Sequence, residues 1–157
     1  MEEKYSRIEW CCLQKNGIKL IEPNEIRGRS YLDAAYIDLV TMQSPALKVQ
    51  NFAAYNACYN SFYSILQKIG IKCELHDCTF EIFKLIPEFT ELQISLIKLL
   101  KNNILEIAQC HKRPRQVSGE PVTEFVATAK QVFDSISSDR IRLIRKEIMV
   151  FIKKRKK

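Results

Sequence analysis

The feature that most constrains this chain is a long uninterrupted segment that ends at Gly70. From Ala46 to Ile69 there is no glycine or proline, and apolar side chains recur three or four positions apart. This length and spacing predict one long, central helix over residues 45–69, because strands are much shorter. Ser44 is expected to cap the helix, with Pro45 at its first position. The predicted inward stripe comprises Val49, Phe52, Ala53, Asn56, either Ala57 or Tyr59, Tyr63, Leu66 and Ile69.

The same periodicity recurs along the rest of the chain, and no segment alternates convincingly with a period of two. We therefore predict an all-α single domain over residues 1–157. It is an antiparallel bundle of four to five core helices, with a short N-terminal helix and a basic C-terminal helix. Further helices are predicted over 4–15, 25–42, 74–85, 90–110, 121–136 and 139–154, with an extended connector at 18–23 and a loop at 111–120.

Polar residues mark three of the predicted helix starts. Asn24, Thr90 (followed by Glu91) and Ser138 each precede a periodic segment. Side-chain oxygens at such positions accept hydrogen bonds from the unpaired N–H groups of the first helical turn. These residues are therefore predicted to be N-caps.

The positive charge is concentrated at the C-terminus. The chain has a net charge of +7, and residues 139–157 hold nine basic residues against two acidic ones. Ile141, Ile144, Ile148 and Ile152 form one stripe of the last predicted helix, so we expect that helix to pack on the bundle or on a partner chain. The basic end, a candidate nucleic-acid contact, includes Lys153, Lys154 and Arg155.

No apolar run approaches the roughly 20 residues of a membrane span. The N-terminal segment is acidic and leads into no apolar run, unlike a signal peptide. We therefore expect a cytoplasmic protein with no membrane association.

The cysteines are expected to be buried structural thiols. With no secretion signal and enough chain to bury a core, a disulfide framework is not required. Cys73 and Cys78 with His76 between them approach metal-ligand spacing but lack a second ligand pair, so no metal or other cofactor is predicted. A metal site and a disulfide or redox role are the alternatives. The cysteines are Cys11, Cys12, Cys58, Cys73, Cys78 and Cys110.

Two further features suggest contact with nucleic acid. Tyr55, Tyr59 and Tyr63 recur every fourth residue and would either stack bases in a groove or form core and dimer contacts. The polar segment 111–115 is either a phosphate-binding loop or an ordinary solvated one. Its candidate phosphate ligands are Lys112, Arg113 and Arg115.

The stretch from Asn51 to His76 has a distinctive order. Small residues and tyrosines on one helix are followed by an apolar pair, a glycine, a short basic turn and a histidine that opens the next helix. This order resembles the HEPN family (higher eukaryote and prokaryote nucleotide-binding domain), and the resemblance covers about residues 24–137. It implies a bundle of four or five helices that forms a homodimer. It also implies nucleotide or RNA binding and, in toxin–antitoxin systems, a minimal nucleotidyltransferase as protein partner.

Active HEPN members are metal-independent RNases with an arginine, four to six residues, then a histidine. The corresponding segment here has the right spacing, but lysine replaces arginine at Lys101 and glutamate replaces histidine at Glu106, with Asn102 between them. Lysine neutralises phosphate without the planar fork of arginine. Arginine followed at that spacing by histidine occurs nowhere in the chain, whose only histidines are His76 and His111.

We therefore expect a non-catalytic, HEPN-like binding or partner module, with Asn102 and the basic residues contacting RNA or nucleotide. The first alternative is an RNase with an atypical site formed by His76, Lys101 and Glu106. The second is a structural helical subunit that docks through its last helix. In the simplest interpretation, His76 is a cap or surface residue and the face bearing Lys101 is merely solvated.

Overall fold

The computed structural model describes the backbone of residues 2–154 and the side chains of residues 7–154. It confirms the all-α prediction over this part of the chain. The helices are α1 (Glu2–Leu13), α2 (Glu25–Thr41), α3 (Leu47–Ile69), α4 (His76–Glu81), α5 (Glu91–Gln109), α6 (Gly119–Ser135) and α7 (Ser138–Lys154). A 3₁₀ turn, Ile82–Leu85, continues α4, and two short strands are β1 (Lys19–Leu20) and β2 (Ile71–Lys72).

Helix α3 lies at the centre, as predicted, and packs against α2, α5 and α6. Phe62 of α3 is fully buried and stacks on Phe83, with 3.9 Å between the ring centroids. Helix α2 lies close against α3 at Gly28, where a Cβ atom would lie 2.7 Å from the carbonyl oxygen of Ser64. Glycine is therefore required at that crossing.

The helix ends follow the predicted chemistry at three places. The Asn24 side chain accepts a hydrogen bond from the backbone N–H of Arg27, and Thr90 forms a capping box with Gln93. Gly70 ends α3 in the left-handed backbone conformation, with φ of 89°. Residues that carry a Cβ atom rarely adopt this conformation.

Two predicted helix starts are wrong. Helix α3 begins at Leu47 rather than at Pro45, because the Ser44 hydroxyl accepts from the Ala46 backbone N–H and closes a local turn there. At α7 the hydroxyl of Ser137, not Ser138, accepts from the Arg140 backbone N–H. A serine one position earlier takes the capping role because Ser138 already lies within the helix.

The short strands were not predicted as strands, although β1 lies within the predicted extended connector. They pair antiparallel, with Lys19 opposite Lys72 and Leu20 opposite Ile71. Two residues are too few for an alternating pattern to be visible in the sequence. The pair fixes the connector beside the end of α3.

Helix α7 packs on the bundle, which is one of the two alternatives predicted for it. Ile144, Ile148 and Phe151 are buried, and α1 is its main neighbour. The Arg145 side chain donates hydrogen bonds to the carbonyl oxygens of Ile21, Ile69 and Gly70. This arginine is therefore part of the fold rather than a free basic group.

The cysteine prediction is only partly correct. Cys12, Cys58 and Cys73 are buried free thiols, as expected. Cys11 and Cys78 instead form a disulfide between α1 and α4, because the two helices bring their Cα atoms within 5.5 Å. Cys110 is a free but exposed thiol, because it follows the last residue of α5 and lies outside the core.

No helix in the described part of the chain is long and apolar enough to cross a membrane. Among the same residues, no group of three or more histidine, cysteine, aspartate or glutamate side chains is arranged to hold a metal ion.

Candidate anion-binding surface

The tyrosines of α3 form a packed ladder that ends at His76. Tyr59 and Tyr63 stack with 5.7 Å between ring centroids, and the His76 ring stacks on Tyr59 at 4.1 Å. Tyr55 and Tyr63 are only 2% and 8% exposed. The ladder is therefore mainly core packing, and it presents one half-buried histidine to the surface.

A hydrogen bond determines which nitrogen of His76 carries the proton. Tyr55 Oη lies 2.5 Å from His76 Nδ1. Burial and the nearby Lys101 ammonium lower the pKa of His76, so the imidazole is neutral at pH 7. Burial also raises the pKa of Tyr55, so its hydroxyl keeps its proton and needs an acceptor. We conclude that Tyr55 donates to Nδ1 and that the proton of His76 is on Nε2.

His76 lies at a cleft between α1, α4 and α5, which we call the His76 cleft. Arg7, Trp10, Asp77 and Lys101 line it with His76, and the volume is about 460 Å³. Lys101 Nζ is 2.6 Å from an Asp77 oxygen, and this pairing holds the pKa of Asp77 below its usual range. The predicted residues His76 and Lys101 are therefore close together.

A second depression adjoins the His76 cleft along α5. Arg7, Lys98 and Lys101 face Asp77 and Glu81 there, and the predicted residue Asn102 joins them. Arg7 is paired with Glu81 at 3.3 Å. Three cations against two carboxylates leave this part of the surface with a net positive charge.

The predicted basic loop forms a separate cleft, which we call the loop cleft. Lys112, Arg113 and Arg115 line it together with Asn103 and Glu106, and its volume is about 260 Å³. Among the side chains that the structure describes, neither Arg113 nor Arg115 has an acidic partner within salt-bridge distance. Their guanidinium groups are free to bind an external anion.

Two buried side chains of α3 hold this loop in place. Asn51 Nδ2 donates to the Arg115 carbonyl oxygen at 2.7 Å, and Gln50 Oε1 accepts from the Val117 N–H at 2.7 Å. Asn51 is 2% exposed and Gln50 is 9% exposed. The loop backbone is thus fixed against the central helix while its basic side chains remain exposed.

The structure does not bring Lys101 and Glu106 together. Five helical positions place them about 140° apart around α5. Lys101 lines the His76 cleft, whereas Glu106 lines the loop cleft and binds Lys112 at 2.5 Å. The segment 101–106 of α5 therefore contributes to two different clefts.

Several basic residues in the described part of the C-terminal segment are engaged within the fold. Lys154 pairs with Glu9 at 2.7 Å, and Arg140 pairs with Glu88 at 2.5 Å. Lys153 is exposed. The predicted contact residue Arg155 lies outside the described residues.

Sequence reasoning missed Arg7, Trp10 and Lys98 as site residues. Arg7 and Trp10 reach the His76 cleft only because α1 folds back onto α4. Lys98 belongs to the same face of α5 as Lys101 and Asn102, so helical spacing could have revealed it. No local signal relates Tyr55 to His76.

Comparison with family models, with curated proteins and with solved structures finds no match.

Proposed function

We propose that this protein is a non-catalytic, HEPN-like module that binds single-stranded RNA across α5, between the loop cleft and the His76 cleft. The observation that carries the proposal is the pair Arg113 and Arg115, whose guanidinium groups lack acidic partners among the described side chains while Asn51 fixes their loop. A fixed loop loses little conformational freedom on binding, so its cations are well suited to hold phosphates.

The His76 cleft supports the same proposal. A neutral imidazole with its proton on Nε2 is a hydrogen-bond donor toward the cleft, which suits a phosphate or sugar oxygen. The net positive depression formed by Arg7, Lys98 and Lys101 would add electrostatic attraction.

The same tautomer argues against the RNase alternative. A general base at neutral pH needs an unprotonated nitrogen directed at the 2′-hydroxyl, and Nδ1 of His76 is already engaged by Tyr55. Lys101 is paired with Asp77, and Glu106 lies on another face of the helix. Binding without cleavage is therefore the function we favour.

Family resemblance adds two parts to the proposal: homodimer formation and association with a nucleotidyltransferase-type protein. Sedimentation of the purified chain tests the first part. Co-expression with an adjacent nucleotidyltransferase, where the genome encodes one, tests the second.

The main test is binding and cleavage of a mixed-sequence single-stranded RNA by the full chain. The variant is Arg113→Gln with Arg115→Gln. Its control is Arg29→Gln with Arg142→Gln, which removes the same charge from α2 and α7. We expect the first double variant to weaken binding about tenfold or more, since each lost charged contact is worth about 1 kcal/mol or more. The affinity of the control should stay within about twofold of the wild type, because two charges removed far from the site change the affinity only slightly.

Two results would contradict the proposal. Equal losses in the two double variants would indicate a nonspecific charge effect rather than a site. RNA cleavage that persists through purification and disappears in His76→Gln would instead establish the RNase alternative.

A further inference from the structure

Helix α1 is joined to the rest of the molecule by one covalent link besides the chain itself. The Cys11–Cys78 disulfide connects α1 to α4, two residues after His76. The residues it joins are 67 positions apart in sequence. The bond therefore ties the N-terminal helix directly to the element that carries the site histidine.

Helix α1 also packs against α7 and α4. Among its described side chains, Ile8 and Cys12 are buried, and two ion pairs join Arg7 to the largely buried Glu81 and Glu9 to Lys154 at the surface. The Glu9–Lys154 pair lies at the surface and contributes little to stability. Glu81 keeps Lys84 as a second partner when Arg7 moves away, and a helix of 12 residues is marginal in water without tertiary support. The position of α1 is therefore sensitive to the disulfide.

Helix α1 supplies one wall of the His76 cleft. Arg7 and Trp10 line that cleft opposite His76 and Lys101. Without α1 in place, the cleft would lose a cation and its largest aromatic side chain, and His76 would be more exposed to water. The position of α1 therefore determines the shape of the cleft.

We propose that the Cys11–Cys78 disulfide is a redox latch. In the oxidised state it holds α1 on α4 and closes one wall of the His76 cleft, and reduction releases α1 and opens that wall. This inference does not depend on RNA binding, because it concerns only the position of α1.

The reaction is thiol–disulfide exchange with an external dithiol. A thiolate of the reductant attacks one sulfur, and its second thiol then resolves the mixed disulfide. The reductant is oxidised to its own disulfide, while two electrons and two protons are transferred to the Cys11 and Cys78 thiols. Glutathione disulfide reverses the change and leaves as two molecules of glutathione.

The burial of the bond makes this exchange depend on local opening. Cys11 and Cys78 are each 1% exposed, although Cys78 borders the His76 cleft. Internal exchange with Cys12 is disfavoured because burial raises the pKa of that thiol to about 11, which leaves little reactive thiolate. A transient local opening around Cys78, at the edge of the cleft, thus admits the reductant, and release of α1 follows reduction.

Trp10 is the only tryptophan in the chain and reports on α1 directly. The experiment compares acrylamide quenching of its fluorescence in protein oxidised with glutathione disulfide and in protein reduced with dithiothreitol. Trp10 is 52% exposed in the folded state. Release of α1 should therefore raise the quenching constant about twofold. Far-UV circular dichroism should show that the other helices persist.

Two variants make the test specific. Cys11→Ser with Cys78→Ser should show the higher quenching without reductant. Cys110→Ser, which removes an exposed free thiol, should respond to both reagents as the wild type does.

Three outcomes would overturn the latch. The first is unchanged Trp10 quenching after complete reduction. The second is alkylation of all six cysteines in the protein treated with glutathione disulfide, which would show that the bond does not form. The third is global loss of helicity in both the double variant and the reduced wild type, which would make the bond a structural requirement instead.

Discussion

Replacement of Tyr55 by phenylalanine tests how the site histidine is held. The change removes one hydroxyl from a side chain that is 2% exposed, and it leaves the stacked rings in place. The lost contact is the 2.5 Å hydrogen bond to His76 Nδ1. Because Tyr55 donates this bond to the neutral imidazole, its removal should make protonation of His76 easier.

The expected size follows from the net value of a neutral hydrogen bond, about 1 kcal/mol. That energy corresponds to roughly a fivefold rise in the affinity of His76 for a proton, so its pKa moves up toward the ordinary value. The variant should also lose about 1 kcal/mol of unfolding free energy at pH 7, because the half-buried Nδ1 loses its donor.

The assay is a pH titration followed by NMR of the imidazole carbon-bound protons. The chain has only two histidines, His76 and His111, so the signals of the two imidazoles can be followed separately. A His76 pKa that stays the same or falls in Tyr55→Phe would refute the reasoning. A fall in the pKa would mean that Nδ1 carries the proton and that the bond favours the charged form.

Three further predictions concern stability. Because burial and Lys101 lower the folded pKa of His76 below its usual value of about 6.5, the unfolded chain binds the extra proton first. The free energy of unfolding should therefore fall as pH drops through about 6.5 and level off below the folded pKa, and urea titrations should show this step diminished in His76→Gln. Gly28→Ala should cost about 1–3 kcal/mol in the same assay, because its Cβ would lie 2.7 Å from the Ser64 carbonyl oxygen; an unchanged midpoint would show that the helices separate freely. Reduction of the disulfide should cost about 4 kcal/mol by the chain-entropy relation for residues 67 positions apart, and a loss below about 1 kcal/mol would contradict that relation here.

The helices were predictable because each carries its own signal. The spacing of apolar residues and the punctuation at Asn24, Gly70 and Thr90 depend on neighbours within one or two turns. The errors at Ser44 and Ser138 are also local, since adjacent polar groups compete for the same role and the sequence does not rank them.

The site was less predictable because its parts meet through packing. Tyr55 reaches His76 only where α3 crosses α4, and Cys11 reaches Cys78 only where α1 folds back. The family resemblance placed Lys101 and Glu106 in one motif, whereas their rotation about α5 assigns them to different clefts. The charge of the C-terminal segment also did not indicate where the binding surface lies, because Arg145 and Lys154 are engaged within the fold.

The basic loop could be predicted from its own sequence, but the residues that hold it in place could not. Its sequence suggested phosphate contacts at Lys112, Arg113 and Arg115, and the structure places all three around one cleft. The buried side chains of Gln50 and Asn51 that fix the loop lie on another helix, and no pattern in the loop itself indicates them.

The salt dependence of RNA binding tests the central claim most directly. The measurement is the slope of log Kobs against log salt concentration for the wild type and for Arg113→Gln with Arg115→Gln. If both guanidinium groups neutralise phosphates of a single strand, the variant should lose about 1.4 from the magnitude of the slope, at roughly 0.7 for each contact. The Arg29→Gln and Arg142→Gln control should keep the wild-type slope. Identical slopes in the wild type and the loop variant would contradict the account, because the loop would then contact no phosphate.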